Sequence, residues 1–148
     1  AKDIPVDVRF LELMPIGEGK EGETISNTTL FQKIKEIYPD IKPDERKHGN
    51  GPAIYYKIPG FEGSIGFISA IHGGFCDSCN RLRMTSTGEL KPCLCYDETI
   101  SVRDVARCGD SEKIRENIKH AIQIKPKKHC FSEIEKVSEK KKMAQIGG

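Results

Sequence analysis

Three cysteines between residues 73 and 94 have the types and spacing of ligands for a metal centre. Cys76, Cys79 and Cys93 follow the pattern C-x2-C-x13-C. Asp77-Ser78, the pair between the first two, favours a tight turn, so both thiolates can face one ion. The stretch is therefore predicted to bind a metal ion or an iron–sulfur cluster.

The third cysteine is predicted to return to the other two through a β-hairpin. Its strands are expected at Arg81–Ser86 and Glu89–Leu94, with the turn at Thr87-Gly88. Because a hairpin brings its far end back to its start, Cys93 should lie beside the other two thiols.

Two kinds of centre fit three thiolates, and spacing alone does not separate them. A [4Fe–4S] cluster is ordinarily held by four cysteines, so three would leave one iron open to another ligand. Zinc would need a fourth ligand, for which Cys95 and His72 are candidates. The zinc alternative is a structural module that binds nucleic acid or protein.

Two arginines, Arg81 and Arg83, follow the second cysteine at once. In a strand, alternation places both guanidinium groups on one face, beside the cysteines. Two forked cations there would bind a phosphate or a carboxylate.

The composition narrows the class of protein. The 148 residues suit one compact domain or part of a larger protein, with 36% hydrophobic and 31% charged residues. A net charge of +2 gives no argument for nucleic acid, and no apolar run is long enough to span a membrane. Six cysteines without a secretion signal indicate the cytoplasm, with metal ligands and thiols rather than disulfides.

Strands and helices are predicted on both sides of the cysteines. Residues 6–14 read as a parallel strand covered on both faces, so the chain is expected to be the C-terminal piece of something larger. A helix should run from Thr29 to Tyr38, with a capping box at Thr29–Gln32 and an apolar stripe of Leu30, Ile34, Ile37 and Tyr38. Residues 39–52 read as a charged connector or mobile loop.

The remaining elements complete an α+β pattern. Ala53–Ile58 and Ser64–Ala70 should pair as a hairpin. Short helices are expected to begin at Ser101 and Ser111. Cys108 and Cys130 have no partner spacing and are predicted to be free thiols.

The cysteines and arginines belong to a longer motif, Phe75-Cys76-x2-Cys79-Asn80-Arg81-x-Arg83-x-Thr85, then Gly88-x-Leu90-x2-Cys93-Leu94. Three further stretches accompany it: residues 8–15, Lys125-Pro126 with His129, and Ile146-Gly147-Gly148. In these features the chain resembles the C-terminal domain of the MoaA family, the radical SAM GTP 3′,8-cyclases of molybdenum cofactor biosynthesis. The resemblance covers essentially the whole chain.

This resemblance implies a division of the chain. Residues 1–40 would be the last segment of an incomplete, TIM-like α/β barrel. Residues 41–148 would be a small antiparallel-sheet domain with flanking helices, the three-cysteine cluster and a basic Gly-Gly tail. The complete enzyme would be roughly twice as long, with C-x3-C-x2-C in its N-terminal barrel. That motif is absent from these 148 residues, so the chain should be inactive alone.

The resemblance also implies roles for single residues. The three cysteines would hold a [4Fe–4S] cluster whose open iron takes the guanine of GTP. Arg81, Leu82 and Arg83 would bind the substrate through its triphosphate. Met14 would contact S-adenosylmethionine, and Gly147-Gly148 would reach into the active site.

The resembling enzymes convert GTP to 3′,8-cyclo-7,8-dihydro-GTP, the first step toward molybdopterin. A second [4Fe–4S] cluster cleaves S-adenosylmethionine, and the 5′-deoxyadenosyl radical takes hydrogen from C3′. The implied partners are GTP, the N-terminal barrel, a second copy in a homodimer, and a pterin synthase that uses the product. Nucleic acid and membranes are not expected. A related radical SAM enzyme with another substrate is a further alternative.

Cys95 departs from the family pattern, which more usually has an aromatic residue there. A fourth thiolate within reach could close the open iron. In an extended strand, however, Cys93 and Cys95 would lie about 6.5–7 Å apart. Cys95 is therefore predicted to take no part in the cluster.

Overall fold

Two units, each with its own small sheet, make up the computed structural model, which describes residues 1–146. The first unit combines residues 1–13 with residues 23–78, and the second combines residues 14–22 with residues 79–146. This mixture of sheets and helices agrees with an α+β class. The division at residue 40, drawn from the resembling enzymes, stays a prediction.

The first unit is built on a four-stranded sheet. Its strands are β1 (Val8–Leu11), β2 (Lys42–Pro43), β3 (Ile54–Lys57) and β4 (Ile65–Ile68). They lie in the order β1-β4-β3-β2, with β1 parallel to β4 and the other pairs antiparallel. The hairpin predicted from residues 53–70 is thereby confirmed.

Strand β1 is shorter and more exposed than the sequence indicated. It is parallel to β4, as predicted, but it lies at the edge of the described sheet. Leu11 is 55% exposed and Val8 is 38% exposed. The expectation that both faces are covered was therefore wrong for the residues described.

Helix α1 (Asn27–Ile37) contributes to the core of this unit. Ser26 caps it by accepting a hydrogen bond from the Thr29 N–H at 3.1 Å, so the predicted capping box was wrong. The core is formed by Ile41, Ile58, Ile65 and Phe67, against which Leu30, Phe31 and Ile34 pack. Ile37 is 70% exposed and lies outside the apolar stripe.

The second unit has a three-stranded antiparallel sheet and two helices. Its elements are β5 (Arg83–Met84), β6 (Glu89–Lys91), β7 (Ile100–Ser101), α2 (Arg103–Arg107) and α3 (Ser111–Gln123). Leu90, Val102 and Ala121 form its core. Asp110 caps α3 by accepting the Lys113 N–H. Among residues 1–146, every helix is too short or too polar to cross a membrane.

The loop after β2, predicted to be a connector or mobile, is held to the first unit by a buried aspartate. Asp44 accepts hydrogen bonds from Arg46 Nη2 at 2.7 Å and from Ser64 Oγ at 2.5 Å. His48 Nε2 lies 3.1 Å from Asp44 Oδ2, and the opposite ring nitrogen lies 2.7 Å from Asp7 Oδ2. These polar contacts tie the loop to the start of β1 and to the residue before β4.

We expect this unit to lose stability in acid through Asp44. The hydrogen bond from Arg46 holds the pKa of Asp44 well below its usual range. A lowered folded-state pKa stabilises the fold above the unfolded value, near 4, and this contribution disappears as the pH falls through the folded value. Asp44→Asn should therefore cost about 1–3 kcal/mol at pH 7, and less at pH 2.

Thermal unfolding from pH 7 to pH 2 measures this difference, with the exposed Asp40→Asn as the matched control. An Asp44→Asn deficit that is equally large at both pH values would contradict the assignment.

Candidate functional site

The first predicted ligand lies in a single helical turn at the end of the first unit. Phe75–Ser78 form a 3-10 helix that contains Cys76, and Ser78 Oγ donates to the Phe75 carbonyl at 3.2 Å. This turn agrees with the tight turn predicted from Asp77-Ser78. Cys76 is half-buried.

A buried glutamate organises the loop that leads to Cys76. Glu12 accepts hydrogen bonds from the backbone N–H groups of Asn27 (3.0 Å), Ile71 (2.8 Å) and His72 (3.0 Å). Its Oε1 also lies 3.1 Å from His72 Nδ1. Burial raises the pKa of Glu12, but these hydrogen bonds outweigh burial and lower it. One carboxylate thus connects the end of β1, the start of α1 and the approach to Cys76.

Two further observations concern this loop. Gly74 has φ +57°, a left-handed conformation that favours glycine. His72, a candidate zinc ligand, is 60% exposed at its side chain and has one ring nitrogen beside Glu12.

The role of Glu12 was missed from the sequence, although a single acid inside the apolar run FLELM was a usable signal.

The other two predicted ligands flank a hairpin in the second unit. Strands β5 and β6 pair antiparallel, with Arg83 opposite Lys91. Cys79 lies four residues before β5, and Cys93 lies two residues after β6. The turn closes with a hydrogen bond from the Gly88 N–H to the Thr85 carbonyl. Gly88 has φ +80°, which explains glycine at this position. The predicted hairpin is confirmed, although its strands are shorter.

Lys125 joins the two limbs of this hairpin beside the cysteines. Its Nζ donates to the Arg81 carbonyl at 2.9 Å and to the Pro92 carbonyl at 2.8 Å. These carbonyls lie two residues after Cys79 and one residue before Cys93, so a single ammonium group fixes the separation of both segments. The contacts are 44 and 33 positions away in sequence, which no local pattern predicts.

The predicted substrate residues differ in their surroundings. Arg81 is exposed and precedes β5, while Arg83 lies in β5 and is half-buried. Arg81 was predicted to lie in the same strand as Arg83. Because it precedes β5, the side-chain alternation of a strand does not apply to it. Leu82 packs against the core around Leu90. That these residues bind a substrate stays a prediction.

A buried ion pair supports the strand that leads to Cys93. Lys91 in β6 and Glu139 form the pair, and their side chains are 1% and 2% exposed. Lys91 also donates to the Tyr96 carbonyl, and Glu139 accepts from the Lys141 N–H at 2.6 Å. Burial raises the pKa of Glu139, but the hydrogen bond from Lys91 and the backbone N–H groups outweigh it and lower the pKa.

Cys95 lies against a second buried thiol rather than in a strand. Strand β6 ends at Lys91, so the extended geometry assumed for Cys93 and Cys95 was wrong. The Cys95 N–H donates to Cys93 Sγ at 3.5 Å, while Cys95 Sγ is 2.6 Å from Cys130 Sγ. Burial, together with Cys130, raises the pKa of Cys95 to about 12. Cys130 and Cys108 are both thiols, as predicted. Cys130 is buried against Cys95, whereas Cys108 is exposed.

The remaining predicted residues lie in the second unit or beyond the described chain. Met14 is half-buried. Near the other end of the chain, Ile146 is fully buried, and Lys142 pairs with Glu18 at 2.6 Å. Gly147 and Gly148 fall outside the described residues.

The prediction of a metal centre requires several ligand side chains to lie close together. Within residues 1–146, no group of three or more His, Cys, Asp or Glu side chains is arranged to hold a metal ion. The ligand set Cys76, Cys79 and Cys93 therefore stays a prediction based on spacing and donor chemistry.

Comparison with known proteins identifies similar sequences. Residues 6–131 match the family described as Molybdenum Cofactor Synthesis C. The chain is 46% identical over 145 residues to a GTP 3′,8-cyclase of Clostridium perfringens strain SM101, covering 97% of the chain and 45% of that relative. It is 40% identical over 149 residues to a GTP 3′,8-cyclase of Alkaliphilus metalliredigens, covering 99% of the chain and 45% of that relative. The chain thus spans about half the length of these curated relatives.

Proposed function

The chain belongs to the Molybdenum Cofactor Synthesis C family, and from that premise we propose that it is the substrate-binding part of a GTP 3′,8-cyclase. The resemblance inferred from the cysteine motif is thereby confirmed at the level of the family. The observation that carries the proposal is the β5–β6 hairpin. It sets Cys79 and Cys93 beyond its paired segments, puts Arg81 and Arg83 on one limb, and is tied across by Lys125.

The donor set fits an iron–sulfur cluster. Cysteine thiolates are soft ligands and are the usual ligands of such clusters. Cys76, Cys79 and Cys93 would hold a [4Fe–4S] cluster that, when bound, supplies an iron with an open position for the guanine base. Three ligands rather than four is the feature that leaves this position open.

The chain's own residues would then bind and orient the nucleotide. Arg81 and Arg83 would donate to the triphosphate, because planar guanidinium groups match phosphate oxygens. Lys125 fixes the backbone at Arg81 by donating a hydrogen bond to the Arg81 carbonyl. A nucleotide held at its base and at its phosphates has little freedom to rotate, so the ribose is presented in one orientation.

The rest of the active site would come from other segments. Met14 would contact S-adenosylmethionine, and the Gly147-Gly148 tail would enter the active site. The N-terminal barrel, with C-x3-C-x2-C, would supply the radical chemistry, so this chain would bind GTP without converting it. Strand β1 pairs in parallel with β4 and has exposed apolar side chains at the edge of the described sheet. These features support the proposal that a further parallel strand lies beside β1.

We expect Arg81→Ala and Arg83→Ala each to weaken GTP binding. A hydrogen bond to a charged group contributes roughly 1.5–3 kcal/mol, which corresponds to about 10–150-fold in Kd. Binding of guanosine, which lacks phosphates, should change little. Equilibrium titration of the anaerobically reconstituted chain with GTP and with guanosine measures both effects.

The exposed Arg115→Ala in α3 is the matched control, because it removes the same charge elsewhere on the second unit. Unchanged GTP affinity in both hairpin variants would instead favour a related radical SAM enzyme with another substrate. Stoichiometric zinc in colourless, anaerobically isolated protein would favour the structural zinc module.

A further inference from the structure

We propose that Cys95 and Cys130 are an oxidative modification site, a buried dithiol that low-molecular-weight disulfides convert to an intrachain disulfide. This pair lies outside the predicted cluster ligands and is independent of the GTP-binding proposal. The sulfur atoms are 2.6 Å apart, although the two residues are 35 positions apart in sequence. Their separation is therefore fixed by the fold of the second unit.

The surroundings hold both thiols in place. The Cys130 N–H donates to Cys95 Sγ at 3.1 Å, and Cys130 Sγ donates to the Lys136 carbonyl at 3.2 Å. Cys95 is fully buried and Cys130 is 7% exposed. The two sulfur atoms thus lie within about 0.6 Å of the S–S bond length of a disulfide, which is about 2.05 Å.

The chemistry is thiol–disulfide exchange in two steps. One thiolate of the pair attacks a sulfur of the oxidant RSSR, forms a mixed disulfide and releases one RSH. The second thiol then attacks the protein sulfur of that mixed disulfide and releases the other RSH. Overall, two protein thiols lose two electrons and two protons, and one RSSR is reduced to two RSH. Burial means that the first step requires local opening of this region.

The modification would change a segment next to a predicted cluster ligand. The Cys95 N–H donates to Cys93 Sγ, and the Cys95 carbonyl accepts from the Glu139 N–H at 3.4 Å. A covalent link from Cys95 to Cys130 would fix the residues after Cys93 to the loop that ends in the Ile134–Lys136 turn. In the reduced protein, the contact with Cys130 holds the Cys95 sulfur in the interior.

The test is oxidation of the whole chain, purified anaerobically, with oxidised glutathione. After the remaining thiols are alkylated in denaturant, a non-reducing tryptic digest is analysed by tandem mass spectrometry. Trypsin leaves Cys93 and Cys95 in one peptide, because only Leu94 lies between them, so fragment ions must separate them. We expect Cys95–Cys130 to be the main intrachain disulfide, reversed by dithiothreitol.

A stability measurement gives a second readout. Closing a loop of this length should raise the Tm of the second unit by roughly 10–30 °C. The rise should be absent in Cys95→Ser and Cys130→Ser and retained in Cys108→Ser. The exposed Cys108 also reports on the reagent, because it should form a mixed disulfide with glutathione. Recovery of Cys95 and Cys130 as alkylated thiols from a sample in which Cys108 is modified would overturn the proposal, as would pairing of Cys130 with a different cysteine.

Discussion

Replacement of Cys76, Cys79 or Cys93 by serine is expected to abolish stable cluster binding. The unchanged chain, reconstituted anaerobically with iron and sulfide, should bind about four irons and turn brown. Each serine variant should retain less than about one iron per chain, because two remaining thiolates do not hold a [4Fe–4S] cluster firmly. Iron and acid-labile sulfide, measured per chain together with the visible absorption, give the result.

Two matched variants make this experiment specific. Cys108→Ser removes an exposed thiol and should leave the iron content unchanged. Cys95→Ser removes the thiol nearest in sequence to Cys93 and should also leave four irons, since Cys95 is paired with Cys130. Loss of iron only in Cys95→Ser, with full iron in Cys93→Ser, would show that the ligand set had been assigned to the wrong cysteine.

The local parts of the fold could be predicted because their determinants are close together in sequence. The β3–β4 hairpin and the β5–β6 hairpin both follow from short candidate strands separated by glycine-containing turns. Boundaries were less accurate, since the capping residue of α1 was taken to be Thr29 rather than Ser26. Several side chains can cap a helix start, and only the three-dimensional context selects one.

The supporting groups of the candidate site could not be predicted, because each acts across a long separation in sequence. Glu12 reaches Ile71 and His72, 59 and 60 positions away. Lys125 reaches Arg81, and Cys95 reaches Cys130. The spacing of Cys76, Cys79 and Cys93 indicated the type of chemistry, but these contacts determine how the surrounding backbone is held.

The buried pair of Lys91 and Glu139 is expected to dominate the stability of the second unit. Glu139→Ala leaves the Lys91 ammonium group buried without its carboxylate, which should cost about 3–5 kcal/mol. Lys91 ends β6, two residues before Cys93. The variant should therefore also expose this segment, and hydrogen exchange at the amides of residues 89–96 should become faster.

Denaturant unfolding followed by far-UV circular dichroism measures the loss of stability, and hydrogen exchange localises it. Glu135→Ala is the matched control, because it removes an exposed glutamate four residues earlier. The double variant Lys91→Met/Glu139→Leu should recover much of the loss, since it removes both charges and leaves apolar side chains of similar size in the interior. A Glu139→Ala variant as stable as Glu135→Ala would mean that water or another group compensates Lys91. The ion pair would then not be what holds β6 and the Cys93 segment in place.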